Sequence, residues 1–187
     1  MFIAVLHGFT SSNDIFSSFG IHTPERKYVS GESHLYLGRQ YMLRVVDSER
    51  NEVHYKGNIL EVECRRRKDV RSLLMAWYRK RAEIKFEEYA VPLIARFNRY
   101  QVKPSAIKLK EMATRWGSCT VTGQILLNPR LVCAPRICIE YVIIHELCHL
   151  VHRNHTKDFY ELLTQEMPDW KKWKMKLEKF NDLGFNI

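Results

Sequence analysis

Tyr141-Val142-Ile143-Ile144-His145-Glu146-Leu147-Cys148-His149-Leu150-Val151-His152-Arg153-Asn154-His155 holds four of the chain's eight histidines in its last eleven residues. Apolar side chains at Val142, Ile143, Ile144, Leu147, Leu150 and Val151 do not alternate as a half-buried strand would; they cover a helix with a broad buried side. His145 and His149 then lie one turn apart on one face, about 6 Å between Cβ atoms, where two imidazoles can meet one ion. Glu146 points about 100° away from them, placed to touch a water on that ion rather than to ligate it. The stretch reads as a metal site carried on a buried helix.

The third ligand has four candidates: His152, His155, Glu161 and Glu166. A straight helix would put His152 roughly 10 Å from His145, too far for a shared ion with bonds of about 2.1 Å. His155 is favoured because Asn154 tolerates the left-handed conformation that ends helices and would let the chain fold back. Thr156 can then cap a further helix with Asp158 in its first turn and Phe159, Leu162 and Leu163 facing inward. His152 reads as a solvated imidazole near a helix end, and Cys148, about 100° off the ligand face, as a small core residue.

Composition narrows the class. The 187 residues are 45% hydrophobic and 27% charged, ordinary for a globular chain with a real core. No apolar run approaches membrane-spanning length, and Met1 to Phe9 is apolar without a basic lead or an evident cleavage site, so neither a membrane span nor a secretory signal is expected. Five cysteines without a Cys-x-x-Cys pair suit reduced thiols in a cytoplasmic protein. The net charge of +9 makes an anionic partner, nucleic acid or nucleotide, conceivable. Its densest cluster, Arg65-Arg66-Arg67-Lys68 with Arg71, reads first as a solvated face and second as a phosphate site.

Along the chain, residues 10–20 are Ser- and Phe-rich and Thr23-Pro24 ends any helix there. Short strands follow at about 35–37, 41–46, 53–56 and 59–63, expected as a small antiparallel meander. Asp69 is expected to cap a helix to about Asn98, with Val70, Leu73, Leu74, Trp77, Ile84, Ala90, Leu93, Ile94 and Phe97 inward and Pro92 kinking or dividing it. Residues 107–112 alternate as a half-buried strand; 114–123 interrupts it and 124–128 resumes it, which reads as a hairpin. Pro135 suits the start of the metal helix. Two more helices follow, at about 157–166 and 169–181, the last with Trp170, Trp173, Leu177 and Phe180 on one stripe and lysines largely outside it.

The combination Arg115-Trp116-Gly117-Ser118-Cys119, residues 128–131, His145-Glu146-Leu147-Cys148-His149, Asn154-His155 with Phe159, and Met167-Pro168-Asp169-Trp170 resembles the YgjP-like metal-dependent hydrolases, relatives of SprT-type and other His-Glu-x-x-His peptidases. The resemblance runs over about 31–180. It implies an α+β, zincin-like fold: a small antiparallel sheet packed on the metal helix, preceded by a β-rich lobe and a long linking helix. Residues 1–32 would be an extension of unknown role, 33–103 the lobe and long helix, and 104–187 the catalytic core with its C-terminal helices. By resemblance His145, His149 and His155 are the ligands of one Zn2+ per chain and Glu146 is the catalytic glutamate.

A zinc metallopeptidase acting on a peptide or protein is the first functional reading, with Glu146 as general base toward a zinc-activated water. The edge near residues 114–119 would hold an extended peptide by strand addition. Arg115 and Trp116 are candidate substrate-binding residues, Arg115 also a candidate oxyanion stabiliser, with a structural Arg-Trp-Gly turn as the alternative. The second reading is a zinc-dependent nucleotide phosphoanhydride hydrolase whose phosphates meet arginines such as those at 65–67. The third is a nucleic-acid or partner-binding module with structural zinc.

Overall fold

The computed structural model describes residues 26–182; the apolar opening, the Ser- and Phe-rich stretch, Thr23-Pro24 and most of the 1–32 extension lie outside the described residues. Strands β1 (Ser33–Tyr36), β2 (Arg39–Asp47), β3 (Glu52–Lys56) and β4 (Ile59–Cys64) form one sheet in the order β1-β2-β4-β3. The expected meander is corrected: β1/β2 and β3/β4 are antiparallel, but β2 and β4 run parallel, with Leu43 opposite Leu60 and Val45 opposite Val62. Hydrophobicity explains the order. β4 buries Leu60, Val62 and Cys64, whereas β3 exposes Glu52, His54, Tyr55 and Lys56. A meander would put polar β3 in the middle; the observed order sends it to an edge, where charged side chains also discourage pairing with another chain.

The β1–β2 turn ties this sheet to the metal helix. Leu37 and Gly38 both have positive φ, 50° and 77°, as a two-residue hairpin requires. Their amides donate to the carbonyls of Val132 and Cys133, each at 2.9 Å, and a Cβ at position 38 would stand 2.7 Å from Pro135 Cγ. Glycine is therefore needed there on two counts, conformation and space.

Helix α1 (Val70–Phe97) buries Val70, Leu74, Tyr78, Ala82, Phe86, Tyr89, Ala90, Leu93 and Phe97. The expected stripe is right at its two ends and wrong in the middle: Ile84 is 41% exposed, and the buried line passes instead through Tyr78, Ala82, Phe86 and Tyr89. Tyr78 is inside because its hydroxyl donates to the Leu35 carbonyl at 2.8 Å, which removes the cost of burying it. Pro92 does not divide the helix. It lies on the exposed flank of the helix, as does Glu88, whose carbonyl it leaves without its helical partner. Asp69 holds the N-cap position, but its carboxylate accepts from Arg66 at 2.8 Å instead of capping the backbone.

A second sheet has the order β5-β7-β6, from β5 (Ala106–Leu109), β6 (Gly117–Cys119) and β7 (Gln124–Leu127). The expected hairpin between 107–112 and 124–128 is corrected, since β5 and β7 are parallel and the antiparallel partner of β7 is β6. The small sheet is thus mixed, not antiparallel. β7 carries Ile125 and Leu127, both fully buried, and takes the centre; the stretch read as an interruption supplies the edge strand beside the metal helix.

Asn128 then caps a 3-10 segment, Pro129–Cys133, by accepting from the Arg130 amide. Pro135 occupies the N-cap of α2 (Arg136–Val151), which packs against α1, β6, β7, α3 (Lys157–Glu166) and α4 (Trp170–Asp182). One hydrophobic cluster joins Leu43 and Leu60 of the first sheet, Phe86 and Phe97 of α1, and Ile143, Leu147 and Leu163 around α2. α4 docks on it through Trp170 and Leu177, leaving Lys171, Lys172, Lys176 and Lys179 outside. Among the described residues no helix is long and apolar enough to cross a membrane, and all five cysteines are free.

Candidate metal centre

His145 and His149 stand on α2 as the one-turn spacing requires, and His155 is delivered by the bend after it. The bend differs from the expected one. The helix stops at Val151 because His152 is extended, φ −124° and ψ 107°, and Asn154 does not adopt a left-handed conformation. The Thr156 hydroxyl accepts from the Phe159 amide and starts α3 immediately after the third histidine.

Ligand atoms of His145, His149 and His155 lie within 4.8 Å of one another. Nε2 of His155 and Nε2 of His145 are 3.0 Å apart, slightly inside the roughly 3.3 Å between two nitrogens on a tetrahedral zinc. His149 Nδ1 donates to the His152 carbonyl at 3.3 Å, which fixes its tautomer and leaves Nε2 for the cluster. His152 thus contributes its backbone, not its ring. Phe159, fully buried, packs its ring on all three imidazoles at centroid distances of 5.0, 4.6 and 4.6 Å.

Burial, then the facing imidazoles of His149 and His155, hold His145 well below the ordinary histidine range. Burial and His155 bring His149 down to about 4, and burial followed by the Lys174 ammonium lowers His155. Neutral imidazole is the form that binds metal, so the donor set fits a borderline cation such as zinc. Neither carboxylate alternative reaches it: Glu161 pairs with Lys157 at 3.3 Å, and Glu166 is clasped by Arg96, Arg99 and the Tyr100 hydroxyl.

Glu146 is 2% exposed and flanks the cluster on the wall of a cavity of about 530 Å³. Burial pushes its carboxyl up to about 8, opposed by the Arg115 guanidinium and by the Cys119 backbone N–H that it accepts from. Strand β6 seats this side chain, because a Cβ on Gly117 would lie 2.7 Å from Glu146 Oε1 and 2.8 Å from Val142 Cγ1. Arg115 is half-buried and lines the same cavity; the Asn128 amide donates to its carbonyl at 3.1 Å and to that of Met112 at 2.8 Å, fixing the loop that carries it. Trp116 does not line the cavity; it packs half-buried against the core. Cys148 is fully buried, as read from its helical position.

Three contributors lacked a local signal: the Cys119 amide, Gly117 as the seat of Glu146, and Arg153 on the cavity wall. The first two act by backbone and by absence of a side chain, and only the pairing of β6 with β7 brings them to α2. Phe159 was readable as inward-facing, but not as the floor beneath three imidazoles.

A three-histidine cluster able to hold a metal ion, set in an α+β frame beside a buried glutamate and an open cavity, is the arrangement of a metal-dependent hydrolase. The family described as "YgjP-like, metallopeptidase domain" matches residues 15–180, and the chain belongs to it. The match begins about fifteen residues ahead of the stretch over which the resemblance was read. No curated protein matches the chain.

Proposed function

We propose that the protein is a zinc-dependent peptidase that cleaves peptide bonds, with His145, His149 and His155 holding one Zn2+ and Glu146 acting as general base. The observation that carries this is the placing of Glu146 and His149 on the wall of one open cavity, alongside the edge strand β6. When bound, zinc supplies an open fourth position that polarises a carbonyl and lowers the pKa of a water to about 7. The chain's own residues do the rest. Glu146 would take a proton from the attacking water and return it to the departing amine. Arg115, the Cys119 amide and a dication all favour its ionised form, countering the burial that raises it.

Among the described residues β6 pairs with β7 alone, so apart from the Cys119 amide given to Glu146 its outer edge leaves backbone groups for an extended peptide. In this reading residues 104–187 are the catalytic unit and 33–103 the scaffold that steadies α2. Five free cysteines support residence in the reducing cytoplasm.

The readings that rest on the basic cluster gain no support. Arg65, Arg66 and Arg67 face Glu49, Asp69 and Asp47, and none of them lines the cavity. Structural zinc would call for a fourth protein ligand, and among the described residues the cluster has three. The test is the zinc-loaded Glu146→Gln variant against a peptide library: stoichiometric zinc with peptide cleavage lost supports the proposal, and cleavage at the wild-type rate refutes it.

A further inference from the structure

Charge in the cavity is lopsided. Two guanidinium-bearing side chains, Arg115 and Arg153, line it, and Glu146 is the one acidic residue among its walls. Arg115 approaches from the loop before β6 and Arg153 from the residues after α2, so they reach the cavity from separate elements. Several arginines of the molecule have carboxylates in reach, as Arg67 has Asp47 at 2.9 Å, Arg136 has Glu140 at 2.7 Å and Arg96 has Glu166 at 2.8 Å, and those without an ion pair, such as Arg39, Arg50, Arg71 and Arg81, lie away from the cavity. Among the described residues, neither Arg115 nor Arg153 has a carboxylate within 4.0 Å. Glu146 is felt by Arg115, but it is buried and already accepts from the Cys119 amide.

A guanidinium fork presents donors matched to a carboxylate, and two forks left without one on the wall of a binding cavity favour a ligand that brings its own. The remaining wall is uncharged: Ser118 offers a hydroxyl, Thr120 and Thr122 have theirs bonded to each other at 3.0 Å, and Val121 and Leu150 offer apolar surface. We infer that Arg115 and Arg153 are specificity-determining residues, and that the preferred substrate is a peptide carrying a carboxylate, from an Asp or Glu side chain or from its own C-terminus, close to the scissile bond. The inference rests on the peptidase reading and adds the charge of the substrate to it. The two cations raise the local concentration of acidic segments and hold one in place, while lysine-rich segments are repelled.

The test uses the full chain as the zinc-loaded Glu146→Gln variant, so that peptides bind without turnover. Heptapeptides with one Glu moved through each position are titrated against counterparts with Gln there, each as a free acid and as a C-terminal amide. The expected result is about tenfold tighter binding of a Glu peptide than its Gln counterpart at one or two positions. The preference should fall to within about twofold in Glu146→Gln/Arg153→Gln and return in part with Arg153→Lys. A preference for the free acid whatever the internal residue also supports the inference and assigns the carboxylate to the chain terminus. Equal affinities for all members overturn it while leaving the peptidase reading intact, as does discrimination unchanged by Arg153→Gln. Zinc-loaded protein that binds no peptide overturns both, and so does displacement of the acidic peptide by a nucleoside triphosphate of higher affinity.

Discussion

Glu146 on α2 and Glu166 at the end of α3 are both buried glutamates, and their surroundings differ completely. Glu166 faces Arg96 and Arg99 from α1 and its C-terminal turn and accepts from the Tyr100 hydroxyl. Glu146 has one backbone N–H and a single guanidinium to set against its burial, with its carboxyl pushed up to about 8. A carboxylate whose charge is answered by its neighbours fastens the end of α3 to α1 and its C-terminal turn. One left with its charge largely unanswered is poised to exchange a proton, at a cost to stability.

The sharpest way to break this contrast is to neutralise each carboxylate in turn. Glu146→Gln should lower peptide turnover by roughly a thousandfold, leave zinc at one per chain and leave stability to denaturant unchanged or higher. Glu166→Gln should do the reverse, retaining the chemistry while costing about 2 kcal/mol in a denaturant titration, a figure moderated because Arg96 and Arg99 are 39% and 50% exposed and can rehydrate. If the two variants gave the same profile, the division between a structural and a chemical carboxylate would fall.

Phe159→Ala tests the floor beneath the imidazoles. It should cost about 3 kcal/mol or more and weaken zinc binding, measured by chelator competition, because three rings lose a common packing surface. Gly117→Ala should be smaller in stability and specific in effect: the added methyl displaces Glu146, lowering kcat about tenfold with zinc content unchanged.

The smallest effect concerns a buried histidine outside the cluster. His34 on β1 is brought down to about 4, chiefly by burial and then by Arg26. Its unfolded form takes up a proton near pH 6.5 and its folded form near 4, so the neutral folded state is favoured above pH 6.5 and loses stability as pH falls through that window. Between pH 6.5 and 5.5 the loss due to His34, read as the difference between wild type and His34→Gln so that the cluster histidines cancel, should be about 1 kcal/mol with and without zinc. A loss that vanished on adding zinc would tie His34 to the metal centre.

How much of this was legible in the sequence depends on how local the signal is. The helix, the facing of His145 and His149 and the position of Glu146 beside them follow from one-turn spacing and apolar coverage, and α3 follows from Thr156 with an inward stripe. Pairing partners were not legible. β2 against β4 and β5 against β7 are parallel contacts between segments distant in sequence, chosen by which strand is most apolar rather than by turn chemistry. The bend to His155 was foreseen, but not its means, since an extended His152 ends the helix where a left-handed Asn154 was expected. The middle of α1 was misread because tyrosine counts as polar until its hydroxyl has a partner, which for Tyr78 lies on β1.

X-ray absorption at the zinc edge on the full chain, loaded with one equivalent of zinc, tests the central claim most directly. The account predicts three imidazole nitrogens at about 2.0–2.1 Å and one oxygen from water. A shell of four protein ligands, a sulfur scatterer at about 2.3 Å, or failure to retain the metal would contradict it.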